Sequence, residues 1–162
     1  MARTSKRKVR LESQSLQENV SVKTYMAGIY ARLSVDNHDG KEISIETQIE
    51  MAKEYLKSHT EITLYDCYSD LGATGTNFQR SDFERLMQDV RDGLINCIIV
   101  KDFSRFGRNY IETGNFVEKI FPFLGVRFIA ITDQYDSIKQ ADCNEALSMH
   151  LKNIANELYA RD

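Results

Sequence analysis

The chain has 162 residues, 42% of them hydrophobic and 28% charged, which suits one domain with a sizeable core. A formal net charge of −3 excludes a wholly basic surface, so any contact with nucleic acid has to come from a local cluster. Cys67, Cys97 and Cys143 are dispersed and form no C-x-x-C pair, which argues against a zinc site or a disulfide framework and fits a reducing cytosol.

Residues 1–24 are polar, carry Arg3, Lys6, Arg7, Lys8 and Arg10 at their start, and lack periodicity, as a flexible basic arm does. A solvated tail is favoured there over a DNA-contacting arm. No apolar h-region follows, so the arm is not a secretory signal, and no stretch nears the roughly 20 apolar residues that span a bilayer. A soluble, cytoplasmic protein is expected.

Tyr25 to Leu33 reads as a strand and Val35 to Lys41 as a polar loop. Ser44, with Thr47 and Gln48, opens a helix through about Ser58, with Ile45, Ile49, Ala52 and Leu56 spaced for one buried face. Ile62 to Tyr68 is the second strand, and Ser69 to Asn77 a loop containing Gly72 and Gly75. Ser81-Asp82-Phe83-Glu84 starts a second helix, with Phe83, Leu86, Met87 and Val90 inward and Gly93 near its end.

Cys97 to Val100 is a short apolar third strand, Tyr110 to Phe121 a helix and Val126 to Ile131 a fourth strand. Strands alternating with helices predict an α/β fold: a three-layer α/β/α arrangement around a mostly parallel sheet of four to five strands. Residues 25–140 would form this domain. From about residue 141 a last helix begins, with Leu147, Leu151, Ile154 and Leu158 as an apolar seam. The seam is still periodic at Asp162, which suggests a fragment of a longer protein; a partner and the domain's own sheet are equally good counterparts for it.

Two basic motifs carry the chemistry. Arg32 and Ser34 lie two apart and so share one side of a strand, and Arg105 and Arg108 lie three apart and so share one face of a helical turn. Both pairs follow strands, at the sheet edge where open α/β folds bind ligands. Guanidinium forks bind non-bridging phosphate oxygens without needing a metal, and a serine hydroxyl attacking phosphorus gives a covalent ester. Singly, each residue reads more simply as a surface arginine or a turn serine; together they point to a phosphodiester.

Tyr30-Ala31-Arg32-Leu33-Ser34, the stretch Ser69-Asp70 through Gly72, Thr74, Gly75 and Asn77 to Arg80, and Ser104-Arg105-Phe106-Gly107-Arg108 resemble, in that order, three motifs of the resolvase/invertase serine recombinases. The resemblance covers roughly residues 25–162. It implies Ser34 as nucleophile, with Arg32, Arg105 and Arg108 on the scissile phosphate. Asp70, Thr74, Arg80, Ser104 and Gln48 are implied as supporting or phosphate-binding residues. Ser104 stands where small resolvases carry an aspartate. The forms Thr-Gly-Thr-Asn-Phe-x-Arg and Lys101-Asp102-Phe103-Ser104-Arg105 look most like large serine recombinases, in particular the TnpX-like transposases that excise and insert mobile elements.

The resemblance further implies a 5′-phosphoserine link to DNA, strand exchange and religation, with no metal or other cofactor. Its partners would be double-stranded recombination sites and further copies of the chain, a dimer joining into a synaptic tetramer through the long last helix. The isolated domain would be monomeric or weakly dimeric. The residues alone leave other readings open: a non-catalytic α/β phosphate- or nucleotide-binding or dimerisation module, or a serine hydrolase, although no G-x-S-x-G elbow is present. No residue is singled out as the base for Ser34.

Overall fold

The computed structural model describes residues 23–33, 43–71, 80–107 and 109–139. Strand β1 (Tyr25–Leu33) and strand β3 (Cys97–Val100) form where expected, and are almost entirely buried because helices cover both of their faces. Helix α1 (Ile45–Lys57) is capped by Ser44, whose hydroxyl accepts the Thr47 N–H. On its inner side Gln48 and Ala52 are buried, whereas Ile45, expected there, is only partly covered.

Strand β2 (Ile62–Leu71) runs three residues beyond the Tyr68 expected from sequence. Ser69, Asp70 and Leu71, expected in a loop, pair in parallel with Ala31, Arg32 and Leu33, so Asp70 belongs to a strand. The β1–β2 ladder shifts register once, from Ala27 opposite Leu64 to Gly28 opposite Asp66, which leaves Tyr65 over as a bulge.

Helix α2 (Ser81–Arg91) has Arg80 at its cap position with no side-chain bond there, so the Ser81 start does not cap itself as anticipated. The cap comes from β2: Asp70 accepts the N–H groups of Asp82 and Phe83 at 3.0 Å each. Asp82 answers by accepting the Ser69 N–H at 2.9 Å. Two segments thus share the reciprocal bonding that a single capping box provides.

Helix α3 (Tyr110–Asn115) continues through a π-helical stretch (Phe116–Ile120) into α4 (Phe121–Leu124), beyond the Phe121 anticipated. Pro122 is tolerated because it lies in the first turn of α4. Strand β4 (Arg127–Ala130) is shorter than anticipated, and a two-residue β5 (Tyr135–Asp136) pairs antiparallel to it, unannounced by its sequence.

The sheet order is β2-β1-β3-β4-β5, parallel except for β5. Helix α1 packs on one face over Ala27, Ile29, Cys97, Ile99 and Ile129. Helix α2 and the α3–α4 run cover the other face, over Tyr30, Tyr68, Ile98, Val100 and Phe128. The expected three layers are therefore present. In this order the connections diverge between β1 and β3, and the crevice beyond the carboxyl ends of those two strands is where such sheets place ligands.

Candidate active site

At that crevice the chain turns sharply after β3. Phe103 and Phe106, three apart in a 3₁₀ turn (Phe103–Arg105) and its cap, are buried at 1% and 0% exposure. Phe106 packs edge-on against Phe83, Phe116, Phe121 and Phe128, with ring centroids 5.1–5.4 Å away. With both aromatics pulled into the core, Ser104 is exposed and Arg105 lies partly covered beside it. Gly107 follows because a Cβ there would strike the Thr113 hydroxyl and backbone.

Arg32 reaches this turn from β1. Its Nη2 donates to the carbonyls of Ser104 at 2.8 Å and Gly107 at 3.4 Å. Arg105 Nη1 in turn donates to the Arg32 carbonyl at 3.4 Å. Arg32 Nε is buried and has no hydrogen-bond partner among the described residues. Both guanidiniums are held below the usual arginine range. For Arg32 burial is the main cause and the charge of Arg80 the next; for Arg105 burial comes first and the charge of Arg32 second. Two crowded, partly desolvated cations form a place where an anion lowers the free energy of both.

Gln48 fastens β1 to the start of α1. Its Oε1 accepts the Arg32 N–H at 3.3 Å, and its Nε2 donates to the carbonyls of Arg32 at 3.2 Å and Ile43 at 2.9 Å. The backbone on each side of segment 34–42 is thereby tied to one buried amide.

Below the arginines lies a buried relay. Tyr30 donates its phenol to Asp70 Oδ2 at 2.8 Å and accepts from Arg80 Nε and Nη2 at 3.3 and 3.2 Å. Arg80 also donates to the Phe106 carbonyl, pairs with Glu112 at 3.4 Å, and lies 3.8 Å over the Phe83 ring. Asp70 and Arg80, at 5% and 6% exposure, sit beneath the crevice rather than at its surface. Burial raises the Tyr30 phenol well above its ordinary range, so it remains a neutral donor.

Of the residues singled out from sequence, Arg32, Arg105, Ser104 and Gln48 meet at one place, and Asp70 and Arg80 support it from below. Ser34, Thr74 and Arg108 lie outside the described residues, as do residues 1–22 of the arm and the last helix. The bonding roles of Tyr30 and Glu112 went unread. Tyr30 carried a signal, since it lies two residues before Arg32 and so on the same side of β1. Among the described residues no group of three or more His, Cys, Asp or Glu side chains could hold a metal ion, and no helix is long and apolar enough to cross a membrane.

A 2-1-3-4-5 sheet with arginines converging at its β1/β3 crevice defines an open, doubly wound α/β domain, and the particular family is shown by comparison. The profile described as "Resolvase, N terminal domain" matches residues 27–161, and the chain belongs to that family. A resolvase family site-specific recombinase from Streptococcus pneumoniae is 24% identical, with 85% of this chain and 93% of that one aligned and a TM-score of 0.63. The N-terminal catalytic domain of TP901-1 integrase is 22% identical over 84% of this chain and 97% of that one, with a TM-score of 0.61. The C-terminal catalytic domain of ISC1926 TnpA, an IS607-like serine recombinase, is 17% identical over 82% and 98%, with a TM-score of 0.52. These likenesses establish the fold of a serine recombinase catalytic domain. No curated protein sequence matches the chain.

Proposed function

We propose that this domain cuts and rejoins DNA by metal-independent phosphoryl transfer to Ser34. The Ser34 hydroxyl attacks the scissile phosphorus, the bond to the 3′-oxygen breaks, and a 5′-phosphoserine link keeps the energy of the backbone bond for religation. Arg32 and Arg105, joined by Arg108, hold the non-bridging oxygens as charge develops on them. Gln48 fixes the backbone beside the nucleophile, Thr74 and Ser104 assist in binding the phosphate, and Asp70 and Arg80 hold the arginine turn from beneath.

The observation that carries this reading is the convergence of Arg32 and Arg105 at the β1/β3 crevice, each held below the usual arginine range by burial and neighbouring positive charge. Double-stranded recombination sites are the substrate. Residues 1–24 act as a flexible arm and 141–162 as the beginning of a dimerisation helix, through which dimers assemble into a synaptic tetramer in the bacterial cytosol. Excision and insertion of a mobile element is the overall outcome, as the TnpX-like form of the motifs suggests.

The test incubates the full-length protein, in EDTA, with nicked duplexes drawn from the DNA flanking its own coding sequence, and separates the products on a denaturing gel. A covalent protein–DNA band that Ser34→Ala abolishes is expected. A band that persists in Ser34→Ala would overturn the assignment of the nucleophile.

A further inference from the structure

The arginine turn is braced from a part of the chain that the proposed chemistry does not use. Asp102 stands at the cap position of the 3₁₀ turn Phe103–Arg105 but makes no side-chain bond to the N–H groups there. Its Oδ1 accepts the Ser104 hydroxyl at 2.5 Å, and its Oδ2 accepts from Lys101 Nζ at 2.7 Å. The cap comes instead from Asp133, 30 residues on, whose Oδ2 accepts the Phe103 N–H at 2.8 Å.

Asp133 is aimed at that N–H by its own turn. After β4 the chain runs on beside the end of β3, where the Ile131 N–H donates to the Val100 carbonyl at 3.1 Å and the Thr132 N–H to the Lys101 carbonyl at 2.7 Å. It then folds back toward β5, with the Gln134 N–H on the Ile131 carbonyl at 3.1 Å. Gln134 has a φ of 52°, the one positive value at a non-glycine among the described residues. A glutamine holds that left-handed conformation at a cost, and such backbone persists only where its surroundings over-determine it. Tyr135, next in the chain, packs its ring on that of Phe103 with centroids 5.1 Å apart. Phe103 is therefore held by its backbone through Asp133 and by its ring through Tyr135.

The two residues after Phe103 build the arginine site. The Ser104 carbonyl seats Arg32 Nη2 at 2.8 Å, and Arg105 Nη1 reaches the Arg32 carbonyl at 3.4 Å. Resting on the recombinase reading above, we infer that Asp133 is a positioning residue: its bond to the Phe103 N–H fixes the turn that sets Arg32 and Arg105 against each other at the crevice. Asp133 acts on the phosphate only through the backbone of Phe103–Arg105. Without its bond the Phe103 ring stays in the core, whereas the Ser104 carbonyl and Arg105 shift, and the two guanidiniums meet the non-bridging oxygens out of line.

The experiment measures the rate of covalent adduct formation against duplex concentration for the full-length wild type, Asp133→Ala, Asp133→Asn, Gln134→Val, Gln134→Gly and Ser34→Ala. It uses the same nicked duplexes and a version with a methylphosphonate at the scissile position, which lacks the negative charge that guanidiniums compensate. Asp133→Ala is expected to lower the maximum rate about 10- to 100-fold, the scale on which a misplacement of about 1 Å is felt, with little change in the half-saturating concentration. Asp133→Asn keeps an acceptor oxygen and should restore most of the rate. The Asp133→Ala defect should shrink on the methylphosphonate duplex. Gln134→Val, β-branched and ill suited to a positive φ, should reproduce that defect, and Gln134→Gly should escape it. Because Gln134 is exposed, its two variants carry the test if Asp133→Ala unfolds.

An Asp133→Ala maximum within about twofold of wild type overturns the positioning role while leaving the Ser34 reading in place. So does a defect confined to half-saturation, one undiminished on the methylphosphonate, one that Asp133→Asn shares in full, or equal rates for the two Gln134 variants. A wild type that forms no adduct, or an adduct that Ser34→Ala still forms, overturns that reading and the role of Asp133 with it.

Discussion

The phenol of Tyr30 meets the carboxylate of Asp70 at 2.8 Å, and that one contact ties β1 and the edge strand β2 to the start of α2 and, through Arg80, to the arginine turn. Asp70 caps the helix, and Tyr30 passes the same carboxylate's hold on to Arg80. The arginines of the crevice are therefore braced by a polar core under them as well as by the backbone around them.

Tyr30→Phe keeps the ring in its contacts with Phe83 and Phe106 and removes only the hydroxyl. Asp70 loses a donor and Arg80 an acceptor in a buried place. The variant should lose about 1–3 kcal/mol of stability, the usual cost of leaving buried polar groups unsatisfied. Urea unfolding measures this; a loss below about 0.5 kcal/mol, within the range of neutral surface changes, would mean that the relay rearranges freely.

Gln48 offers a sharper test than truncation. Gln48→Glu replaces the Nε2 donor with a carboxylate oxygen facing the carbonyls of Arg32 and Ile43. Repulsion and burial of charge at a position 2% exposed should make it more destabilising than Gln48→Ala, by about 1–3 kcal/mol. Acidification to pH 5 should narrow the gap as the carboxyl gains a proton. Thermal melts of the three proteins at pH 7 and 5 check both statements.

Arg127 and Asp136 form the pair that pins β5 to β4, with bonds of 3.0 and 2.6 Å and side-chain exposures of 1% and 6%. Arg127→Met strands the Asp136 charge and should cost about 3–5 kcal/mol, whereas Arg127→Met combined with Asp136→Leu should recover much of that loss. A double-mutant cycle in guanidinium chloride measures the coupling. Equal losses in the single and double variants would show that the pair's bonds, rather than the stranded charge, set the cost.

Alkaline pH should loosen the fold. Burial raises the Cys97 thiol to about 12, against about 8.5 for a free thiol, so the folded chain keeps a proton that the unfolded chain releases. Stability is then full below about pH 8.5 and declines as pH rises toward 12. Burial also raises Tyr135 to about 12, which adds to the decline above about pH 10. Urea midpoints from pH 7 to 10.5 should fall in the wild type and fall less steeply in Cys97→Ala; parallel curves would remove Cys97 from the account.

Legibility from sequence followed the range of the forces involved. The runs at Tyr25–Leu33 and Cys97–Val100 were legible because burial on both faces demands apolar residues, whatever the partners. The end of β2 was not, because Ser69 and Asp70 favour turns locally and only pairing with Ala31 and Arg32 overrides that preference. β5 is two residues long, and its place rests on an ion pair that no periodicity reveals. The arginines of the crevice were legible through their motifs and spacing. The support beneath them was not, since Tyr30, Asp70 and Arg80 are joined only once β1, β2 and α2 have found their register.

Tyr65 decides that register by parity. Before it, the even-numbered Ile62 and Leu64 pack with the α1 side of the sheet; after it, the odd-numbered Cys67 does so, and the even-numbered Tyr68 and Asp70 point to α2. A ladder in which Tyr65 took a regular pairing position would keep the same sequence and the same strand, yet deliver Asp70 among the apolar side chains of α1, out of reach of Tyr30 and the helix it caps. The bulge thus shapes β2 as much as side-chain identity does. Deleting Tyr65 would straighten the ladder and still set Asp70 opposite Arg32, so it is the bulge that lets a strand one residue longer present the same faces.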